Sequence, residues 1–198
     1  SACIMDTKNI ENYLNSFGKY IVQQSRSNLT KGKKNVNKDL YNSIKFDIKA
    51  DSDGFTVNFS MLDYGTFIDK GVSGKNKQRS FKNYEGKTVT SPYKYTSRRP
   101  PVGIIEKWIK ARGIRGRVDK NWKSAGNRGG QFIKDKAFAF LISRSIFENG
   151  IKGISFFQRP LQLAFKTFGE DLLSMVAKDV KNSIKESTKD LNSKDIIK

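Results

Sequence analysis

The side chains in this sequence best placed for chemistry are Glu85 and Lys87, separated by Gly86, with Asp63 or Asp69 as further carboxylates. Two or three acids converging on magnesium beside a lysine is what a metal-dependent nuclease needs. The Pro-Asp element on a strand that would complete such a set is missing. Gly71-Val-Ser-Gly-Lys75 superficially resembles a phosphate-binding loop, but it is two residues short between its glycines and has Asn76 where Ser or Thr must reach magnesium. Asp51-Ser-Asp53-Gly54 starts like a calcium loop, yet the further ligands and the closing Glu are absent, so a turn is the better reading. No histidine is present, which removes the commonest general base and metal ligand and with them most hydrolytic triads and zinc or non-haem iron sites. A single cysteine, Cys3, in what reads as a frayed end, cannot form an internal disulfide and supports no redox or zinc role. The residues predict no catalytic centre, no metal and no cofactor.

The sequence advertises charge instead. The stretch 71–136 carries 18 Lys and Arg against Glu85, Glu106, Asp119 and Asp135, which is +14 of the chain's +19. Charge this dense exceeds what solubility needs and points to polyanion or to a carboxylate-rich protein partner. The predicted contact residues are Lys75, Lys77, Arg79, Lys82, Arg98, Arg99, Arg115, Arg117 and Arg128. Phe81, Tyr84, Tyr93, Tyr95 and Trp122 interleave with them and suit stacking on bases as well as packing against a neighbouring subunit. Runs 71–100 and 115–131 show little periodicity and are expected to be mobile basic loops that order on assembly.

At 198 residues the chain predicts one domain, 1–198, with its core over about 6–187 and a flexible tail at 188–198. Hydrophobic residues make up only 36 %, but 14 Phe, seven Tyr and two Trp argue against wholesale disorder. Ile10, Tyr13, Leu14, Phe17, Tyr20 and Ile21 predict an amphipathic helix from Asp6 to about Arg26, followed by a polar linker over 27–38. Ile44, Phe46 and Ile48, then Phe55, Val57, Phe59 and Met61, alternate with polar residues across the turn and predict a hairpin with one buried face. A short helical turn is expected over Leu62 to Gly71. A helix from Pro101 to Arg112 buries Ile104, Ile105, Trp108 and Ile109, so that Trp108 shares a core with Phe138. Another, Lys134 to Asn149, buries Phe138, Leu141, Ile142 and Ile146. The longest runs from Gln158 to about Ser187, with its Leu161 to Val176 stripe on the sheet and its basic end projecting. The fold class is α+β. No apolar run approaches the ~20 residues of a membrane span, and the start lacks a signal peptide's apolar core. A soluble protein made in a cytoplasm, without membrane contact, is expected.

The order of landmarks resembles the head-tail joining or tail-completion (neck, connector) proteins of tailed bacteriophages. The hairpin leads to Tyr64-Gly-Thr-Phe-Ile-Asp69-Lys-Gly71, and a variable loop then reaches Ile104-Ile-Glu-Lys-Trp108-Ile-Lys-Ala-Arg-Gly113-Ile114. Ile146-Phe-Glu-Asn-Gly150 ends the next helix, and Phe157-Gln-Arg-Pro160-Leu161 opens the last. The match covers roughly Ile44 to Phe168. Departures are the long basic loop after Gly71 and the extended end helices. The resemblance implies an antiparallel sheet crossed by helices, and a sixfold or twelvefold homo-oligomeric ring at the head-tail junction of the virion, assembled in the bacterial host cytoplasm. It implies portal or adaptor and tail proteins as partners, genomic double-stranded DNA passing non-specifically through the lumen, and neither catalytic residues nor a cofactor. Mobile cationic loops on such a ring contact phosphate without reading sequence. The alternatives are a sequence-tolerant DNA-binding protein and the metal-dependent phage nuclease of the opening constellation.

Overall fold

The chain is organised by two long antiparallel helices, α1 (Lys8–Lys31) and α6 (Gln158–Lys194), in a computed structural model that describes residues 7–34, 38–51 and 54–194. Between them in sequence lie α2 (Asp39–Ser43), the hairpin β1 (Lys45–Asp51) and β2 (Gly54–Ser60), α3 (Tyr64–Lys70), a second hairpin β3 (Ser80–Lys82) and β4 (Thr88–Thr90), α4 (Val102–Ala111), a 3-10 turn (Lys123–Arg128) and α5 (Asp135–Asn149). Helices with two small antiparallel sheets make the fold α+β, as the patterning predicts.

Helix α1 buries Ile10, Leu14, Phe17, Ile21, Val22 and Leu29 along one stripe. Phe17 meets the rings of Phe165 and Phe168 at 5.9 and 4.8 Å, and Tyr13 meets Phe168 at 5.8 Å, so the stripe of α6 lies on α1 rather than on the sheet. The sheet reaches the same layer through Phe59, whose ring contacts Phe17, Phe46 and Phe157. Val22, Leu29, Leu40, Ile44 and Phe156 form the main core, and Phe156 is 0 % exposed. Burying Leu29 extends α1 well past Arg26 into the expected linker, since helix formation in proteins follows tertiary packing more than propensity. The β1–β2 register, Lys45↔Ser60 through Asp51↔Gly54, is that of the predicted hairpin.

A second, smaller core joins α4 to α5 through Ile105, Ile109 and Ala139, flanked by Val102, Phe138, Ile142 and Ile146. Among the described residues α5 is the helix that packs on α4, and a narrow part of the α4 apolar face is buried. Ile104 and Trp108 turn outward, 66 % and 42 % exposed, and Leu141 on α5 is exposed as well. The expected common core of Trp108 and Phe138 therefore fails on the tryptophan side.

Three further expectations are corrected. Stretch 71–100 is not a structureless loop, because it carries β3–β4 and the bridges Val72↔Ile151 and Ser73↔Lys94. Run 115–131 holds the 3-10 turn and the bridge Arg117↔Phe132. Residues 188–194 continue α6 as helix. Cys3, the Asp6 helix start, Asp53 and positions 195–198 lie outside the described residues.

Candidate functional site

The place where distant segments meet is a backbone crossing between 69–74 and 150–158. Gly71, with φ +75°, stands against the backbone of Ile151 and Gly153, and Gly150, with φ +70°, against that of Val72 and Gly74. No side chain fits at either position, and a β-carbon would in addition be strained at these φ values. Asp69, 2 % exposed, points across the crossing, and its Oδ1 accepts the N–H groups of Phe157 at 2.8 Å and Gln158 at 3.5 Å. It thus caps the start of α6, where helix N–H groups lack internal partners and favour negative charge. Burial pushes its carboxyl above the ordinary carboxylate range, against the lowering effect of those hydrogen bonds and of Lys70.

This geometry decides the phosphate-loop question. The amides of Val72, Ser73, Gly74, Lys75 and Asn76 donate in turn to the carbonyls of Ile151, Tyr93, Lys77, Phe147 and Glu148. Five consecutive N–H groups are occupied, so none is left to cradle a phosphate. Arg79 joins the same arrangement: its Nε donates to the carbonyl of Asn149 at 2.7 Å. The last carbonyls of α5, which have no intrahelical donor, are satisfied by the basic segment, and Arg79 is spent there rather than on a partner.

The nuclease constellation does not assemble. Glu85 and Lys87 pair at 2.9 Å beside the exposed turn of β3–β4, where the Lys87 hydrogen bond and charge hold the Glu85 carboxyl below its usual range. Asp69 is committed to its cap, Asp63 lies exposed at the start of α3, and no group of three metal-ligating side chains comes together among the described residues.

Of the remaining predicted cations, Lys75, Lys77, Lys82, Arg98 and Arg128 are exposed. Arg99 lies over the ring of Phe140 at 4.6 Å, and Arg115 and Arg117 both lie over Phe132, at 4.4 and 4.1 Å. A ring face holds a guanidinium in place while leaving its N–H fork outward, and is worth about 0.5–1 kcal/mol at an exposed site. Two guanidinium groups on one ring concentrate positive charge at one exposed place. Phe132 and Phe140 were not among the predicted residues. The bridge Arg117↔Phe132 that brings ring and arginine together joins positions with no local pattern.

The predicted aromatics divide. Phe81, 8 % exposed, is part of the protein's own interior and is lost as an interface residue, because it fills the space beneath the β3–β4 hairpin. Tyr93 packs edge-on to Phe67 at 4.6 Å. Tyr95 sits half-buried on Phe147 at 6.3 Å, where burial raises its hydroxyl pKa. Tyr84 leans on Phe165 at 6.1 Å with its other side open, and Trp122 is 56 % exposed. Sequence reasoning also missed a cleft of about 520 Å³ between β3 and the start of α6, whose walls include Lys82, Lys152 and Arg159. Lys152 and Arg159 lie outside the basic third, so charge density along the chain gave no signal for them.

Comparison of the chain with protein-family models, with curated proteins and with solved structures returns no match. No described helix is long and apolar enough to cross a membrane.

Proposed function

We propose that the chain is a non-catalytic structural subunit of a tailed-phage head-tail connector, assembling into a closed ring in the neck of the virion around the DNA channel. The observation that carries this reading is the crossing. Tyr64–Gly71, Ile146–Gly150 and Phe157–Pro160 are the landmarks on which the resemblance rests, and they meet through Asp69, Gly71, Gly74 and Gly150. Landmarks that brace one another across up to 89 residues are fold determinants, which is how a structural family with no shared chemistry would be recognisable. The exposed cations suit the phosphates of passing double-stranded DNA or carboxylates of portal, adaptor and tail proteins.

Native mass measurement and electron microscopy of the purified chain test the proposal. The expected result is a closed ring, and a monomer at every concentration overturns it. The arginine pair on Phe132 favours one other reading, a free sequence-tolerant DNA binder. A monomer that holds duplex DNA with steeply salt-dependent affinity would establish that reading instead. Magnesium-dependent nicking that disappears in Glu85→Ala would overturn both.

A further inference from the structure

The short hairpin β3–β4 leaves one of its strand edges open. The Ser91 N–H donates to the Arg79 carbonyl and the Asn83 N–H to the Lys87 carbonyl, so the paired backbone groups of Arg79 and Asn83 face the β4 side. Antiparallel pairing alternates, and Ser80 and Lys82 therefore turn their backbone groups the other way. The Lys82 N–H does so visibly, donating to Ser155 Oγ at 3.1 Å. Among the described residues nothing takes the Ser80 N–H, the Ser80 carbonyl or the Lys82 carbonyl. An open edge of this kind is a template for a further strand.

That edge is one wall of the cleft of about 520 Å³, and the start of α6 is another. The two walls are tied together beyond the end of β3, where the Tyr84 N–H donates to Gln158 Oε1 at 3.0 Å. Phe81, Ile154 and Leu163 give the cleft an apolar lining, and Lys82, Lys152 and Arg159 give it positive charge. No carboxylate lines it, and none of these cations is drawn into an ion pair among the described residues. Asp69 is committed to the amides at the start of α6, and Glu85 to Lys87.

We propose that the cleft takes an extended acidic peptide of a partner protein, added as a strand along β3. Its backbone meets the open groups of Ser80 and Lys82, the contact from which strand addition draws affinity. Its side chains alternate between two faces, so apolar ones lie beside Phe81 and acidic ones beside Lys82 within the cationic walls. Double-stranded DNA presents phosphates and no strand backbone, and would leave both the edge and the apolar lining unused. A second copy of the chain is a poor occupant, because on the exposed face of its β1–β2 hairpin Asp47 and Asp51 are balanced by Lys45 and Lys49. The partner is a neighbouring neck protein if the connector reading holds, while binding itself does not require a closed ring.

The test reads fluorescence anisotropy of labelled peptides on the full chain. The probes are Val-Glu-Val-Glu-Val-Glu, its Gln counterpart, and two forms of the Glu peptide, one N-methylated at the Val amides and one at the Glu amides. The Glu peptide is expected to bind more tightly than the Gln peptide and to slow hydrogen exchange of the Ser80 amide. Strand addition uses alternate amides, so one methylated form should bind like the parent and the other should fail. Lys152→Glu/Arg159→Glu, at exposed side chains, should weaken the Glu peptide by about tenfold or more. If that variant melts lower than the unaltered chain, Lys82→Glu, also exposed, takes its place. Equal binding by both methylated forms, equal binding by the unaltered and reversed chains, or no binding of the Glu peptide up to about 1 mM overturns the site. A reversed chain that loses duplex DNA but keeps the peptide assigns the cleft to phosphate and overturns it as well. A closed ring that binds no peptide removes this contact alone, and a monomer that binds it keeps the contact while removing the ring.

Discussion

The molecule has two unlike halves. On the α1–sheet–α6 side, aromatic rings interlock from Tyr13 through Phe17, Phe59 and Phe168, and the buried residues include Phe156, Ile21, Leu29 and Ile44. On the α4–α5 side the buried apolar cluster is Ile105, Ile109 and Ala139, while Arg99, Arg115 and Arg117 lie on the rings of Phe140 and Phe132 at the surface. One half spends its aromatics on holding the chain together, the other on holding cations outward. The glycine crossing joins them, and its tight backbone lets the basic half be positioned without a large core of its own.

Breaking the first half should give the largest effects. Phe156→Ala leaves a cavity in the main core and is expected to cost about 3–5 kcal/mol in urea unfolding. Gly150→Ala puts a side chain where the backbone of Val72 and Gly74 already stands, at positive φ, and should lower the melting temperature comparably. If both variants melted like the unaltered chain, the stability of the fold would lie in the basic half and the comparison would be inverted.

The two buried carboxylates sharpen the contrast through pH. Asp69→Ala strands the amides at the start of α6 and should cost about 1–3 kcal/mol. Asp179 caps α1 from far along the chain: its Oδ1 accepts Asn9 N and Nδ2 at 3.1 and 2.6 Å, and its Oδ2 accepts Ile10 N at 3.0 Å. Its side chain is covered but shallow, so the upward push of burial is outweighed by those hydrogen bonds and its pKa falls below the ordinary value. The signs are therefore opposite. Asp69, raised in the folded state, contributes stability that is full below its unfolded pKa and lost as pH rises through the folded one. Asp179, lowered, contributes stability that is present above its unfolded pKa and lost as pH falls through the folded one. Urea melts of Asp69→Asn and Asp179→Asn across about pH 2 to 7 should therefore differ from the unaltered chain with opposite slopes. Parallel slopes would mean that one cap is not made.

The sequence exposed what is local and periodic. Strict alternation placed β1 and β2, and three-to-four spacing placed α1, α4, α5 and α6. It could not reveal that α1 runs on to Leu29, because Ser25 and Leu29 stand in a polar run and are buried only by contacts from far away. Strands of three residues, such as β3 and β4, have too little length for a period to register. Asp69 and Asp179 read as ordinary acids because the amides they cap are distant in sequence. Of the candidate site, the exposed cations were legible from charge density. Arg79 and Phe81 were misplaced for one reason: the interior draws residues from a stretch whose composition resembles surface.

Trp108 tests how thin the second half is. Its ring is 42 % exposed, so Trp108→Ala removes only part of a full burial and should cost about 1–2 kcal/mol, below the 3–5 typical of a core aromatic. A loss as large as that of Phe156→Ala would show that α4 belongs to the main core.

The smallest effect on stability should come from Arg98→Ser/Arg99→Ser, whose effect is expected on assembly instead. Arg98 is exposed, and Arg99 contributes one stacked contact on Phe140. Exposed substitutions of this kind stay within about 0.5 kcal/mol, with up to about 0.5–1 kcal/mol more for the lost stack. Both arginines stand in the segment just before α4, so removing them lowers the positive potential of the second half without touching either core. If the proposed connector reading holds, attachment to the portal side or passage of DNA should weaken, and the deficit should shrink as salt rises, since screening over ~8 Å at physiological ionic strength already removes what the substitution removes. A melting curve that shifts as far as that of Trp108→Ala would make these residues structural. Assembly and DNA passage that are unaltered at low salt would leave the charge of this half without the role given to it.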